Sequence, residues 1–176
     1  STANNHARDA GPQGIQFTLD LLAKHGIEGV GTTGTPVILE RKGVKFGFLA
    51  YTYDQRNGNT LIDDPRVAMM DLNTIARDVQ NLRKQAAAVI VTMHAGYEYY
   101  TPKTSKQVRF ARAAINAGGS IVTGHHPQVI QPMEAYKDGV IFHSLGNLVF
   151  DQRPKPGVRQ TAISEDLLER YRSGLA

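Results

Sequence analysis

AAVIVTMH (residues 87–94) and SIVTGHH (120–126) are short apolar runs, rich in β-branched residues, and each ends in histidine. Between them lies KTSKQVRFARAAINAGG (103–119), which has helical periodicity and closes on glycine. Strand, helix and strand in that order predict a parallel pair joined by a crossover helix. Parallel strands discharge their ends on one edge of a sheet, so both histidine-bearing ends meet where open α/β sheets build their sites.

The flanking sequence extends this unit. Leu72 to Ala86 reads as a helix with Asp71 as N-cap and Ile75, Val79 and Leu82 toward the core. QGIQFTLDLLAKH (13–25) places Ile15, Leu19, Leu22 and Ala23 on one stripe, with Gly26 as C-cap. VILE (37–40) and VKFGFLAYTY (44–53) flank RKG and predict a hairpin; QVIQPMEAY and GVIFHSLGN around KDG predict a second. Residues 54–69 read as a long loop, RPKPG (153–157) as a linker, and TAISEDLLERYRS (161–173) as a last short helix. The expected division is one domain over 1–152 followed by a basic linker and short helix over 153–176.

Composition narrows the function classes. The chain has 176 residues, 41% of them hydrophobic, enough for a domain with a real core. No window approaches the roughly 18 uninterrupted apolar residues of a membrane span. Without cysteine, any metal must be held by nitrogen and oxygen. A net charge of +4 favours an acidic partner, such as a phosphate ester or an anionic polymer. The cations are dispersed and aromatics make up only 7%, so no nucleic acid is expected.

Four polar clusters carry the candidate chemistry: Asn4-Asn5-His6 with Asp9, His94 with Glu98, His126 with Gln128, and His143 with Asn147. Imidazole nitrogens, amide oxygens and a carboxylate on one sheet edge suit divalent ions. Each cluster also has a plainer reading. Asn4-Asn5-His6 fits a turn or helix cap, Glu98 and Tyr99 a surface loop, and HSLGN a turn after a strand. His125 is expected to pack or hydrogen-bond, since neighbours on an extended loop point apart.

ANNHARD (3–9), HAGYEYYTPKTSKQ (94–107), GHHPQVIQPMEAY (124–136) and HSLGNLVFDQ (143–152), taken in order, resemble the successive signatures of the CapA family. These are poly-γ-glutamate capsule biosynthesis proteins of the calcineurin-like metallophosphatase superfamily. The resemblance implies an α/β fold, a layered β-sandwich flanked by helices, represented here by its central and C-terminal part. It places Asn5, His94, His126 and Gln128 as ligands of two divalent ions (Mn, Fe, Zn or Mg). It makes His6 the acid that protonates a leaving oxygen and Asp9 the carboxylate that orients it. Glu98, Tyr99, His125 and Asn147 would contact substrate or orient ligands.

Two departures from the family pattern stand out. CapA relatives usually carry His-Pro-His where this chain has His126-Pro127-Gln128; periplasmic nucleotidases of the superfamily use His-x-Gln, with the glutamine oxygen on the metal. Ala95 replaces an aromatic residue. The family's two preceding Asp motifs have no counterpart upstream, so a segment or partner chain supplying the first strands is expected, with apolar sheet surface left for it to cover.

The resulting expectation is a metal-dependent hydrolase-type site acting on an anionic phosphoester or amide substrate, at the extracellular face of the cell envelope, among other capsule-synthesis subunits. The alternatives are a non-catalytic polyanion-binding or assembly subunit and, more weakly, a nucleotidase-like phosphatase.

Overall fold

The computed structural model describes residues 1–53 and 64–148. Its organising element is a six-stranded sheet of order β1-β2-β3-β4-β6-β5. The strands are β1 (Val37–Arg41), β2 (Val44–Thr52), β3 (Ala88–His94), β4 (Ile121–His125), β5 (Ile130–Tyr136) and β6 (Gly139–Leu145). The middle strands β2, β3, β4 and β6 run parallel, and antiparallel β1 and β5 close the margins. The two predicted hairpins are these edge pairs. In the first the turn is Lys42-Gly43 alone, both at positive φ, because Arg41 already pairs with Val44.

Helices α2 (Leu72–Arg83) and α3 (Ser105–Asn116) are the crossovers that parallel pairing requires. Asp71 caps α2 by accepting from the Thr74 N–H at 2.8 Å. Thr104 and Gln107 form a reciprocal capping box on α3. Ile75, Val79 and Leu82 of α2 and Phe110, Ala111 and Ala114 of α3 are buried against Val89, Val91 and Met93 of β3, Val122 of β4 and Ile141 of β6. Alternation then turns Phe46, Phe48, Ile90, Ile121 and Phe142 to the opposite face, where they are half-buried. The mixed α/β layered class follows, compatible with a metallophosphatase-like fold; the described strands form one sheet.

Helix α1 (Gly11–Lys24) departs in part from its expected stripe. Ile15 is buried and Leu19 and Leu22 are half-buried, but Ala23 is exposed, as are Phe17 and Leu21. The helix ends in a Schellman arrangement, with Gly26 N–H on Ala23 O and Ile27 N–H on Leu22 O; His25 is the cap and Gly26, at φ +66°, follows it. Of the expected long loop, residues 64–69 are described and approach β2 through a bridge from Thr52 to Met69. The expected linker and C-terminal helix lie outside the described residues.

Candidate functional site

Register brings the two histidine-bearing ends level. His94 pairs with His125 across β3 and β4, so the loops that follow leave the sheet side by side. Ala95 N–H donates to His125 O at 3.0 Å and Tyr99 N–H to Pro127 O at 2.8 Å, tying the loops together. Tyr99 (φ +59°), His126 (φ +95°) and Gln128 (φ +61°) occupy the left-handed region without being glycine. Each such residue costs of order 1–3 kcal/mol, and such strain persists where surrounding contacts over-determine it, often at sites.

In the N-terminal turn the two asparagines have different places. Asn4 Oδ1 accepts from the His6 N–H at 2.8 Å and shapes the turn. Asn5 is 2% exposed and brings its Oδ1 to 2.8 Å from His94 Nε2. The His126 ring lies beside His94, with centroids 4.9 Å apart and a 56° tilt. Burial, reinforced by His126, His125 and His6, lowers the His94 pKa to about 3, so the ring is neutral. Burial, then the positive amino terminus, lowers His125 as well.

His6 and Asp9 are exposed and paired through Nδ1 and Oδ2 at 2.7 Å. Gln128 Nε2 donates to Glu98 Oε1 at 3.1 Å. An ionised carboxylate only accepts, so Glu98 fixes which way this amide faces. Gln128 Oε1 is consequently turned to a buried position without a hydrogen-bond partner, as is Asn5 Nδ2. Tyr99 and Asn147 are half-buried, Tyr99 on the Glu98 loop and Asn147 just beyond β6. His143, which the sequence grouped with Asn147, is fully buried on the helix face, where Nε2 meets Glu134 Oε2 at 3.1 Å.

The site therefore comprises a trio of buried Asn5 with half-buried His94 and His126, an exposed His6–Asp9 pair and a Glu98–Gln128 pair. Among the described residues no three His, Asp or Glu side chains are grouped to hold a metal. The donors on offer are imidazole nitrogens and amide oxygens, the types that divalent ions accept. Neighbouring ligand atoms of an octahedral ion at about 2.1 Å stand about 3 Å apart; Asn5 Oδ1 and His94 Nε2, hydrogen-bonded at 2.8 Å, already lie close to that spacing. Sequence reasoning missed Gln107 and Gln131, which are buried and polar; their pairing spans 24 positions and leaves no local signature.

Comparison with known proteins follows the same residues. The family model described as bacterial capsule synthesis protein PGA_cap matches residues 1–152. The PGA biosynthesis protein CapA of Bacillus subtilis (strain 168) is 36% identical over 86% of this chain and 42% of its own length. The capsule biosynthesis protein CapA of Bacillus anthracis is 32% identical over 85% and 39%. A probable polyglutamine synthesis accessory protein of Mycobacterium tuberculosis is 31% identical over 85% and 44%. The chain thus spans about two fifths of the length of these curated relatives. A solved hypothetical protein from Thermus thermophilus matches over 80% of this chain and 48% of its own, with 19% identity and a TM-score of 0.42.

Proposed function

The chain belongs to the bacterial capsule synthesis protein family PGA_cap, and from that premise we propose that it serves poly-γ-glutamate capsule synthesis at the cell envelope through a metal-dependent hydrolase-type site. The substrate is an anionic phosphoester or amide, as in the polymer named for its relatives, and other capsule-synthesis subunits are its partners. The observation that carries this reading is the junction of Asn5, His94 and His126, three donors from separate segments, with His94 held neutral at the sheet edge.

Asn5 Oδ1, His94 Nε2 and a ring nitrogen of His126 would hold a Mn, Fe, Zn or Mg ion, and Gln128 Oε1 a second, since its amide is already turned by Glu98. Bound there, such ions polarise the scissile group's oxygen and activate water. Asp9 accepts from His6 Nδ1–H and leaves Nε2 as the atom from which a proton passes to the departing oxygen or nitrogen. Tyr99, His125 and Asn147 complete the surroundings in which substrate is oriented.

Elemental analysis of the purified chain beside His126→Ala tests this reading. About two equivalents of metal, falling in the variant, are expected. Background metal after loading with Mn, Fe and Zn, in a chain that remains folded, would overturn it. A second reading, a polyanion-binding or assembly subunit, is favoured by one observation: among the described residues no carboxylate joins the Asn5–His94–His126 trio. Under that reading His6→Ala leaves function intact, whereas the enzyme loses turnover and keeps its metal.

A further inference from the structure

Two glutamines lie beneath the site with every side-chain hydrogen-bonding group engaged. Gln107 is fully buried and Gln131 is 3% exposed. Gln107 Oε1 accepts from Thr104 N–H at 2.8 Å and from Thr104 Oγ1 at 3.0 Å. Its Nε2 donates to Gln131 Oε1 at 2.8 Å and His143 O at 3.2 Å. Gln131 Nε2 in turn donates to Tyr100 O at 2.9 Å and Pro102 O at 3.1 Å. Two primary amides supply four N–H donors, and all four reach an acceptor. A satisfied buried network of this kind fixes a single arrangement, because breaking any bond strands a polar group away from water.

What the network holds is the loop after β3, residues 95–104. Gln131 grips its carbonyls at Tyr100 and Pro102, and Gln107 grips its end at Thr104. The loop's other side bears on the 126–128 turn, through Tyr99 N–H on Pro127 O and through Gln128 on Glu98. At the junction lies Gly96 at φ +120°, where a Cβ would stand 3.0 Å from Pro127 Cγ and 3.1 Å from each amide atom of Gln107. The glutamine pair, the loop and the strained His126–Gln128 turn are therefore in direct succession.

We propose that Gln107 and Gln131 are positioning residues for the candidate site: their paired amides hold the 95–104 loop in the conformation that presents Glu98 to Gln128 and supports the turn of His126. The importance of this positioning for turnover rests on the metal-site reading above; the positioning itself does not.

Gln107→Glu separates the two duties of the residue. Glutamate serves at the third position of a capping box as glutamine does; buried there its carboxyl is protonated and offers one O–H where glutamine offers two N–H donors, so Gln131 and His143 cannot both be served. Gln131→Met removes the other half at similar volume. Amide hydrogen exchange and the Gln128 side-chain amide resonance are read on the full metal-free chain. Both variants are expected to speed exchange at the Tyr99 amide at least about tenfold and to shift the Gln128 resonance, with the amides of β3 unchanged. An unmoved Tyr99 amide in folded variants overturns the proposal. Equal acceleration throughout β3 also overturns it, by showing a general loss of stability. A Mn titration of the wild-type chain reports on the metal reading separately, so either idea can fail alone.

Discussion

Asn5 Oδ1 and His94 Nε2 meet at 2.8 Å although 89 positions separate them in the chain. Asn5 is buried and His94 half-buried, and the contact joins the N-terminal turn to the end of a central strand. Asn5→Ala leaves the half-buried His94 ring nitrogen without this partner, at an expected cost of about 1 kcal/mol in urea unfolding. Asn5→Asp restores an acceptor and places a negative charge beside the ring, so the His94 pKa rises above its wild-type position, as followed by ring-nitrogen chemical shifts.

Glu98 is exposed, yet it decides the orientation of the Gln128 amide. Glu98→Gln is expected to change stability by no more than about 0.5 kcal/mol. Mn affinity, measured by calorimetric titration, should fall about tenfold because the ligand amide is no longer held one way round.

The acid limb of stability is expected to come partly from the network around Glu134. Burial pushes this carboxyl up, but hydrogen bonds from Lys103, His143 and Arg112 together outweigh it and bring the pKa down to about 2. His143 is lowered by burial, against the pull of Glu134. Both folded values lie below the unfolded ones, so the unfolded chain binds more protons as the medium acidifies. Stability from His143 is complete above about pH 6.5 and that from Glu134 above about pH 4.5, and each is lost as pH falls, with a limiting slope of about 1.4 kcal/mol per pH unit per group. Urea midpoints across that range should show this decline, and Glu134→Gln should flatten its lower part.

Gly124 permits β4 and β6 to come together: a Cβ there would stand 1.9 Å from the His143 carbonyl oxygen and 2.4 Å from its carbon. The obstruction is backbone and cannot rotate away. Gly124→Ala is expected to cost more than about 3 kcal/mol and to abolish a cooperative thermal transition followed by circular dichroism.

Local physics made much of this molecule legible in its sequence. The cap at Asp71, the two hairpins and the stripe of Ile75, Val79 and Leu82 depend on neighbours a few residues apart, and the structure carries each of them; Gly26 closes α1 too, one position beyond the His25 cap. Histidines at two strand ends foretold a common edge, and His94 and His126 do meet there. His143 was misleading because alternation along β6 turns it to the helices, and parity could not be counted before the strand's register was known. Ala23 emerged from the expected stripe because α1 buries only Ile15 fully. The positive φ of His126 and Gln128 had no residue-type signal, since neither is glycine.

Among the described residues the sheet has two margins, and they bear on self-association. Beta-strand edges offer unpaired backbone groups to any passing strand, and charge or proline there discourages the approach. Strand β1 carries Glu40 and Arg41 at one margin, and β5 places exposed Pro132 at the other, where one backbone donor is missing. A crowded surface of like molecules, each with such margins, resists zipping edge to edge into extended sheets; Pro132→Thr would restore a continuous row of donors and favour that assembly.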